Sequence, residues 1–226
     1  MHIEPGVVDG AKMAFAYTTA AAAAGYSAKL IVDDLKIHSI VSLALRAVIA
    51  TVGTFVFFEV LPHFAVGVSE VHLILGTTLF LLLGAPASAI GLAAGLLVQS
   101  LFFAPTDLPM YFVNVTTLLF PLFAINLLAR RVIPENMAYV DLSYGHVLKM
   151  SVAFQGGVVL WVAFWALYGQ GVGAENLASI GSFAAAYTLV ILIEPLADLG
   201  ALAAAKTLRG LKGSPIVTHR LYHHHA

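Results

Sequence analysis

A chain of 226 residues in which 60% are hydrophobic and only 10% are charged does not have the composition of a water-soluble protein, since soluble domains carry about 25% charged residues. Its formal net charge of -1, with no basic patch, excludes a nucleic-acid partner. The chain contains no cysteine, which excludes disulfides and thiolate metal sites. Any metal must therefore be held by nitrogen or oxygen.

Apolar runs close to the length of a membrane span, about 20 residues, recur along the chain. They predict an all-α, polytopic helical bundle in the lipid bilayer, a single domain over 1–226. About seven transmembrane helices are expected, near 8–29, 39–61, 71–84, 86–104, 108–128, 147–168 and 177–204. The third run is short and is followed by Gly84 and Pro86, so a full crossing and a tilted hairpin with the next run both remain open.

Lysine and arginine residues predict the orientation, because cytoplasmic loops of membrane proteins carry an excess of them. With the N-terminus outside and the C-terminus in the cytoplasm, nine basic residues fall in cytoplasmic segments: Lys29, Lys36, Arg130, Arg131, Lys149, Lys206, Arg209, Lys212 and Arg220. The outside loops then hold none. The tail, about 205–226, is predicted to be cytoplasmic, and the histidines at 223–225 are interpreted as part of this solvated tail.

Arg46 lies inside the second predicted helix, where a charge cannot face lipid cheaply. Two acids of the last predicted helix, Glu194 and Asp198, lie at a comparable depth. Charged groups inside membranes usually pair. We therefore predict an ion pair between Arg46 and one of these two acids.

The predicted orientation places Met1 and His2 on the same side as His63 and His72, and residues 1–10 are interpreted as a metal-binding segment. These residues lack the basic region of a signal peptide, so we expect Met1 to be the mature N-terminus. Its amine, the amide nitrogen of residue 2 and the His2 imidazole can close two fused chelate rings around one metal. A further imidazole would complete a planar set of four nitrogens, which suits Ni(II) or Cu(II) and accepts Co(II).

His72 is the first candidate for this fourth ligand, and His63 is a further one. The alternatives remain open at this point. His2 is otherwise an ordinary residue of a frayed terminus, and His72 is a hydrogen-bonded residue at a helix end. His63, after Pro62, is otherwise a polar loop residue.

Three stretches carry a resemblance to a known family: the opening MHI, VGVSEVHLILG over 66–76, and VNVTTLLFPLFAINLLARR over 113–131. They resemble the CbiM/NikM family, the substrate-binding membrane components of energy-coupling-factor transporters for cobalt and nickel. The resemblance implies that Met1, His2 and His72 bind Co(2+) or Ni(2+) as the transported substrate, with no prosthetic group. Asn114 stands alone where the family often has two asparagines, and either orients a ligand or bonds a neighbouring helix.

The same resemblance implies a component of an ABC-type uptake transporter in a bacterial or archaeal cell membrane. Its expected partners are a transmembrane coupling subunit, separate ATPase subunits and a small accessory membrane subunit. The chain has no GxxxxGK[ST] phosphate loop and no HExxH motif, so we expect no enzymatic activity in it. Two alternatives are a membrane metal sensor or assembly protein that transports nothing, and a substrate-binding component for a small organic vitamin.

Overall fold

A computed structural model describes residues 2–223, so Met1, His224 and His225 lie outside the described residues. Seven helices make up most of this part, which confirms the predicted all-α membrane bundle. In chain order they are α1 (Met13–Leu35), α2 (Ile40–Phe55), α3 (Gly76–Leu83), α4 (Ala85–Phe102), α5 (Tyr111–Val132), α6 (Tyr144–Gln170) and α7 (Ala174–Thr207). The strands β1 (Phe64–Val66) and β2 (Ser69–Val71) form a hairpin between α2 and α3.

Shorter helical segments join or extend these elements. The π-helical stretch Val56–Val60 continues α2. Short 3₁₀ helices flank several of the long helices and lie at Gly10–Lys12, Pro105–Met110, Tyr139–Asp141, Arg209–Leu211 and His219–Leu221. Two helices begin with a side-chain cap. Ser39 accepts a hydrogen bond from the backbone of Ser42 at the start of α2, and Ser143 accepts one from His146 at the start of α6. Serine is a preferred residue at this capping position, so the sequence favours a helix start at both places.

Within the described residues, five helical stretches are long and apolar enough to cross a bilayer: Ile40–Val60, Ala85–Phe102, Pro105–Val132, Tyr144–Gln170 and Ala174–Thr207. They correspond to five of the predicted spans, which confirms a multi-pass membrane protein. α1 has 23 residues, about 34 Å at 1.5 Å per residue, and is also long enough to span. It continues to Leu35, past the predicted end at 29.

The prediction of one continuous helix over 71–84 is wrong. α3 begins only at Gly76 and has 8 residues, about 12 Å of helix against a hydrocarbon core of about 30 Å. Residues 72–75 before it are not helical. Their apolar run carried no periodicity that distinguishes a strand from a buried helix.

The segment after β2 nevertheless runs from one end of the bundle to the other. At its start His72 lies beside His2, with ring centroids 5.1 Å apart. At its end the Leu83 carbonyl accepts a hydrogen bond of 2.7 Å from Arg46 Nη1 of α2. A non-helical stretch and a short helix thus take the place of a full transmembrane helix. Such backbone is tolerated at membrane depth when protein surrounds it, and Ile74, for example, is completely buried.

Close packing between α2 and α4 depends on two glycines of α4. A Cβ at Gly91 would overlap Ala50, and a Cβ at Gly95 would overlap Thr54. Both pairs are spaced by four residues, so they lie on one face of each helix. Small residues at this spacing allow two membrane helices to approach closely and pack through dispersion contacts.

The predicted partner of Arg46 is wrong. Arg46 is completely buried, but its Nη2 lies 2.5 Å from Oδ2 of Asp34, near the C-terminal end of α1. Glu194 and Asp198 instead bind groups of the segment before and within α3. Asp34 had been assigned to a loop because the first helix was expected to end at 29, and the continuation of α1 to Leu35 carries its carboxylate into the bundle.

Candidate metal centre

The N-terminal segment is held beside the hairpin by backbone hydrogen bonds and an isolated β-bridge. β1 and β2 pair antiparallel across a two-residue turn, where Gly67 has a φ of +64° that favours glycine. Ile3 forms a bridge with Ser69 of β2. The His2 carbonyl accepts hydrogen bonds of 2.9 Å from both the Glu70 backbone N–H and the Ser69 hydroxyl. These backbone hydrogen bonds therefore fix the position of the His2 main chain, from which its imidazole projects.

Asn114 of α5 fixes the same segment from the other side. Its Oδ1 accepts a buried hydrogen bond of 2.8 Å from the backbone N–H of Ile3. Asn114 is thus linked to the segment that carries His2, instead of bonding through this oxygen to a neighbouring helix. The structure places it where it contacts the N-terminal residues directly.

His2 and His72 meet on one carboxylate. His2 Nδ1 donates to Glu70 Oε2 at 2.7 Å, and His72 Nε2 donates to the same oxygen at 2.8 Å. Both histidines are at least 98% buried, with 2% and 1% of their surface exposed. Within the described residues, the ligand atoms of these three side chains form a group in which all lie within 4.8 Å of one another. We call these three residues the metal centre.

The outer nitrogens of both rings lack partners. His2 Nε2 and His72 Nδ1 are buried and have no hydrogen-bond partner. Buried polar atoms in native proteins are almost always paired, so two orphaned imidazole nitrogens at one place indicate that a ligand completes the site. Imidazole nitrogen with carboxylate oxygen is a donor set that suits divalent first-row transition metals.

The electrostatics of the metal centre favour a cation over a protonated imidazole. Burial lowers the pKa of His2 below its ordinary value, although Glu70 opposes this effect. Burial alone would raise the pKa of Glu70, but hydrogen bonds from His2 and His72 hold it well below its ordinary value. Two more acids lie nearby: Asp107 Oδ2 is 3.9 Å from His2 Nδ1, and burial with the charges of Glu70 and Asp107 raises the pKa of Glu4.

His72 is held in register by a carboxylate of α7. Glu194, which is completely buried, accepts hydrogen bonds from the backbone N–H groups of Ile74 and Leu75 and from the side-chain amide of Gln155. Leu75 adopts a left-handed φ of +53°, a conformation that is costly for a branched residue and persists only where its surroundings enforce it. Glu194 satisfies the backbone of the non-helical segment and so sets the position from which His72 projects.

His63 lies close to the metal centre but is not part of it among the described residues. Its ring stacks on that of His72, with centroids 4.9 Å apart and planes 13° from parallel. Its Nδ1 faces the Leu61 carbonyl at 3.3 Å. Of the predicted ligands, the structure therefore brings His2 and His72 together. His63 covers one face of the His72 ring. Met1 lies outside the described residues.

Glu70 was not predicted to lie with the two histidines. A signal was present, since Glu70 and His72 are two positions apart in the sequence, and residues at this spacing point to the same side of an extended chain. The expectation of a helix at 71 concealed this spacing. Another histidine, His38, lies at the other end of the bundle, beside Asp34.

A comparison with protein families identifies the family of the chain. The family model described as CbiM, cobalt uptake substrate-specific transmembrane region, matches residues 2–210 of the chain. The matched part contains the whole metal centre and all seven helices, and ends within the tail. Neither a curated protein nor a solved structure gives a significant match.

Proposed function

Since the chain belongs to the CbiM family of cobalt uptake substrate-specific transmembrane regions, we propose that it captures Co(2+) or Ni(2+) with the N-terminal amine and amide, His2 and His72. The observation that carries this proposal is the meeting of both imidazoles on one Glu70 oxygen, with His72 Nδ1 buried and unpartnered. The family makes the chain a membrane component of cobalt or nickel uptake. The ligand set, the outward-facing N-terminus and the partners are part of the proposal.

The N-terminal chelate would use the nitrogen of His2 that now contacts Glu70. A fused six-membered ring from the amide nitrogen of residue 2 closes through Nδ1 of its imidazole, and Nδ1 donates to Glu70 Oε2 in the structure. Because a metal binds only an unprotonated nitrogen, ion binding exchanges this hydrogen bond for a bond to the metal. Glu70 then remains as the nearest carboxylate and offsets the charge of the ion.

The proposal predicts a planar arrangement of nitrogens. The amine, the amide and the His2 imidazole are held nearly coplanar by the two fused rings, and His72 supplies the fourth nitrogen. X-ray absorption spectroscopy of the Ni(II)-loaded protein should show nitrogen-rich, square-planar coordination. An octahedral, oxygen-rich spectrum would instead assign the ion to Glu4, Asp9 or Glu70 and reject the chelate.

Delivery of the ion into the cell would require separate subunits. We propose a transmembrane coupling subunit and ATPase subunits as partners, and a small accessory membrane subunit as a third. The absence of a GxxxxGK[ST] phosphate loop supports the assignment of ATP hydrolysis to another chain. Cellular uptake of labelled Ni(II) or Co(II), compared with and without the ATPase partner, distinguishes a transporter component from a metal sensor that binds by the same residues.

The decisive test adds one residue before Met1. This extension converts the primary amine to an amide and leaves every side chain in place, so the affinity of the purified protein for Ni(II) should fall by about a hundredfold or more. The control adds the same residue after Ala226. Equal affinity of the extended and unextended proteins would reject the N-terminal chelate, while loss of affinity in the control as well would indicate a general effect of the added residue.

A further inference from the structure

A second candidate site lies at the end of the bundle opposite the metal centre. A cavity of about 370 Å³ opens there between the end of α1, the start of α4, the end of α5 and the tail. We call it the tail-end cavity. Its polar lining includes Asn126 and Arg130 of α5, Tyr139, and His219 and Arg220 of the tail. It lies outside the metal centre, and the proposed capture of metal makes no use of it.

Two of its donor groups are buried without a partner. Asn126 is 8% exposed, and its Nδ2 has no hydrogen-bond partner. Arg220 lies over the Tyr139 ring at 5.1 Å and donates from Nη2 to the Pro134 carbonyl at 3.3 Å, but its buried Nε has no partner. Arg130 lies four residues after Asn126, on the same face of α5. The unpartnered groups are all hydrogen-bond donors, so they call for an acceptor.

The two acids that line the cavity do not supply this acceptor, since each is paired elsewhere. Asp34 lies 2.5 Å from Arg46 Nη2, and Asp33 lies 2.6 Å from Lys36 Nζ. Among residues 2–223, no carboxylate is within ion-pair distance of Arg130 or Arg220. The cavity therefore presents two guanidinium groups and an amide to a ligand that carries negative charge.

We propose that the tail-end cavity binds the phosphate headgroup of an anionic phospholipid. Guanidinium groups and amide donors recognise phosphate through charge-assisted hydrogen bonds, and basic pockets between membrane helices commonly hold lipid headgroups. The lining also contains apolar side chains, among them Leu30, Ile37 and Phe80, beside Asp33, Asp34, His38 and Thr218. Ile37 is 63% exposed and Leu127, which follows Asn126, is 49% exposed, so apolar surface for the acyl chains adjoins the polar groups.

The location of the cavity favours a lipid over a soluble anion. Arg130 lies in the last turn of a span that ends at Val132, which is the depth at which headgroups lie. The same end of the bundle carries the basic residues that predict the cytoplasmic side, where anionic lipids attract lysine and arginine.

The test measures lipid binding by the full chain in neutral detergent, by native mass spectrometry and by the thermal midpoint. Phosphatidylglycerol should bind as one tightly held molecule and raise the midpoint, whereas phosphatidylcholine should do neither. Arg130→Gln with Arg220→Gln should weaken phosphatidylglycerol binding by about tenfold or more, since each basic residue contributes about 1 kcal/mol to binding an anionic lipid. Arg131→Gln, next to the cavity residue Arg130 but outside the lining, is the matched control and should bind as the unmodified protein does.

Three outcomes would overturn the proposal. Equal binding of the two lipids would show that the cavity does not select a headgroup of net negative charge. An equal loss in Arg131→Gln and in the double variant indicates general surface attraction, and equal protection by inorganic phosphate alone assigns the cavity to a soluble anion. Should the double variant not fold, Asn126→Asp answers the same question, because it replaces the amide by a carboxylate of equal size that repels phosphate. Unchanged phosphatidylglycerol binding in Asn126→Asp also rejects the site.

Discussion

Each end of the bundle holds a carboxylate among basic side chains, and the two ends differ in whether those side chains can release a proton. At one end Glu70 accepts from the imidazoles of His2 and His72. At the other end Asp34 accepts from the guanidinium of Arg46 at 2.5 Å. An imidazole exchanges its proton for a metal near neutral pH, whereas a guanidinium keeps its charge at every accessible pH.

This difference separates a binding site from a structural contact. Glu70 is 23% exposed and its partners leave two nitrogens unpaired, so the cluster can be opened and completed by a ligand. Arg46 is completely buried and also donates to the Leu83 carbonyl, so it joins α1, α2 and the end of α3. Substitutions at the first end should therefore change binding, and substitutions at the second should change stability.

The largest effect on binding is expected from His72→Ala. It removes one of the two imidazoles of the metal centre and thus one of the four proposed ligands. The affinity for Ni(II) or Co(II) should therefore fall by about a thousandfold. Isothermal titration of the purified protein measures it. His63→Ala is the matched control, because His63 stacks on the same ring without joining the cluster, and its effect should be much smaller. Equal losses at both positions would shift the site to the loop before β1.

The next effect concerns stability at the opposite end. Arg46→Ala removes the guanidinium partner of the Asp34 carboxylate and leaves it only His38, 3.0 Å away. Loss of one member of a buried ion pair costs about 3 to 5 kcal/mol in soluble proteins. The thermal midpoint in detergent should fall accordingly, with metal affinity at the remaining folded protein unchanged. Arg46→Leu combined with Asp34→Leu removes both charges and should recover part of the loss. A double variant that is less stable than Arg46→Ala would contradict the pairing.

Much of the fold could be predicted because span length and apolar content identify a membrane helix without any tertiary information. α2 and α4 to α7 follow from them. The segment between His72 and Gly76 could not be predicted, since it depends on Glu194, which lies 120 residues after Ile74 in the chain and binds its backbone. A short apolar run whose backbone groups bond to a side chain of another helix cannot be distinguished by its local sequence from a run that forms its own helical hydrogen bonds.

The candidate site was predicted in part for a similar reason. His2 and His72 could be placed on one side by counting spans and charges, and the structure shows their side chains in one cluster. Glu70 and Asn114 act through contacts that no span model contains: a shared carboxylate oxygen and a backbone bond to Ile3. The partner of Arg46 was missed because the end of α1 was placed six residues too early, at 29 in place of Leu35.

A smaller effect on binding is expected from Glu70→Gln. Glutamine keeps the size of the side chain but removes the charge that offsets the ion and orients both imidazoles. Loss of such a partner typically reduces metal affinity by about tenfold to a hundredfold. The matched control is Glu175→Gln, in the first turn of α7 and outside the cluster. Tighter metal binding by Glu70→Gln would mean that Glu70 competes with the ion instead of supporting it.

The smallest effect is the pH dependence of the metal-free protein. Burial lowers the pKa of His2 below its ordinary value of 6.5, so between that value and the lowered one the unfolded chain takes up a proton that the folded chain does not. The free energy of unfolding must then fall as the pH drops from 7 to 5. The lowered pKa of Glu70 acts in another window, since its contribution is present above about pH 4.3 and is lost only in stronger acid.

Chemical unfolding with a chelator present, from pH 7 to 5, measures this slope. His2→Asn keeps a hydrogen-bond donor near Glu70 but does not titrate, so its stability should depend less on pH than that of the unmodified protein. His146→Asn removes a histidine at the start of α6, far from the cluster, and should leave the slope unchanged. An equal slope in His2→Asn and the unmodified protein would show that a different group takes up the proton. Burial also lowers the pKa of His72, so the comparison loses its chemical basis only if the variant with both His2→Asn and His72→Asn keeps the slope as well. In that case neither imidazole of the metal centre takes up the proton, and nothing in the titration distinguishes this centre from the Asp34–Arg46 contact.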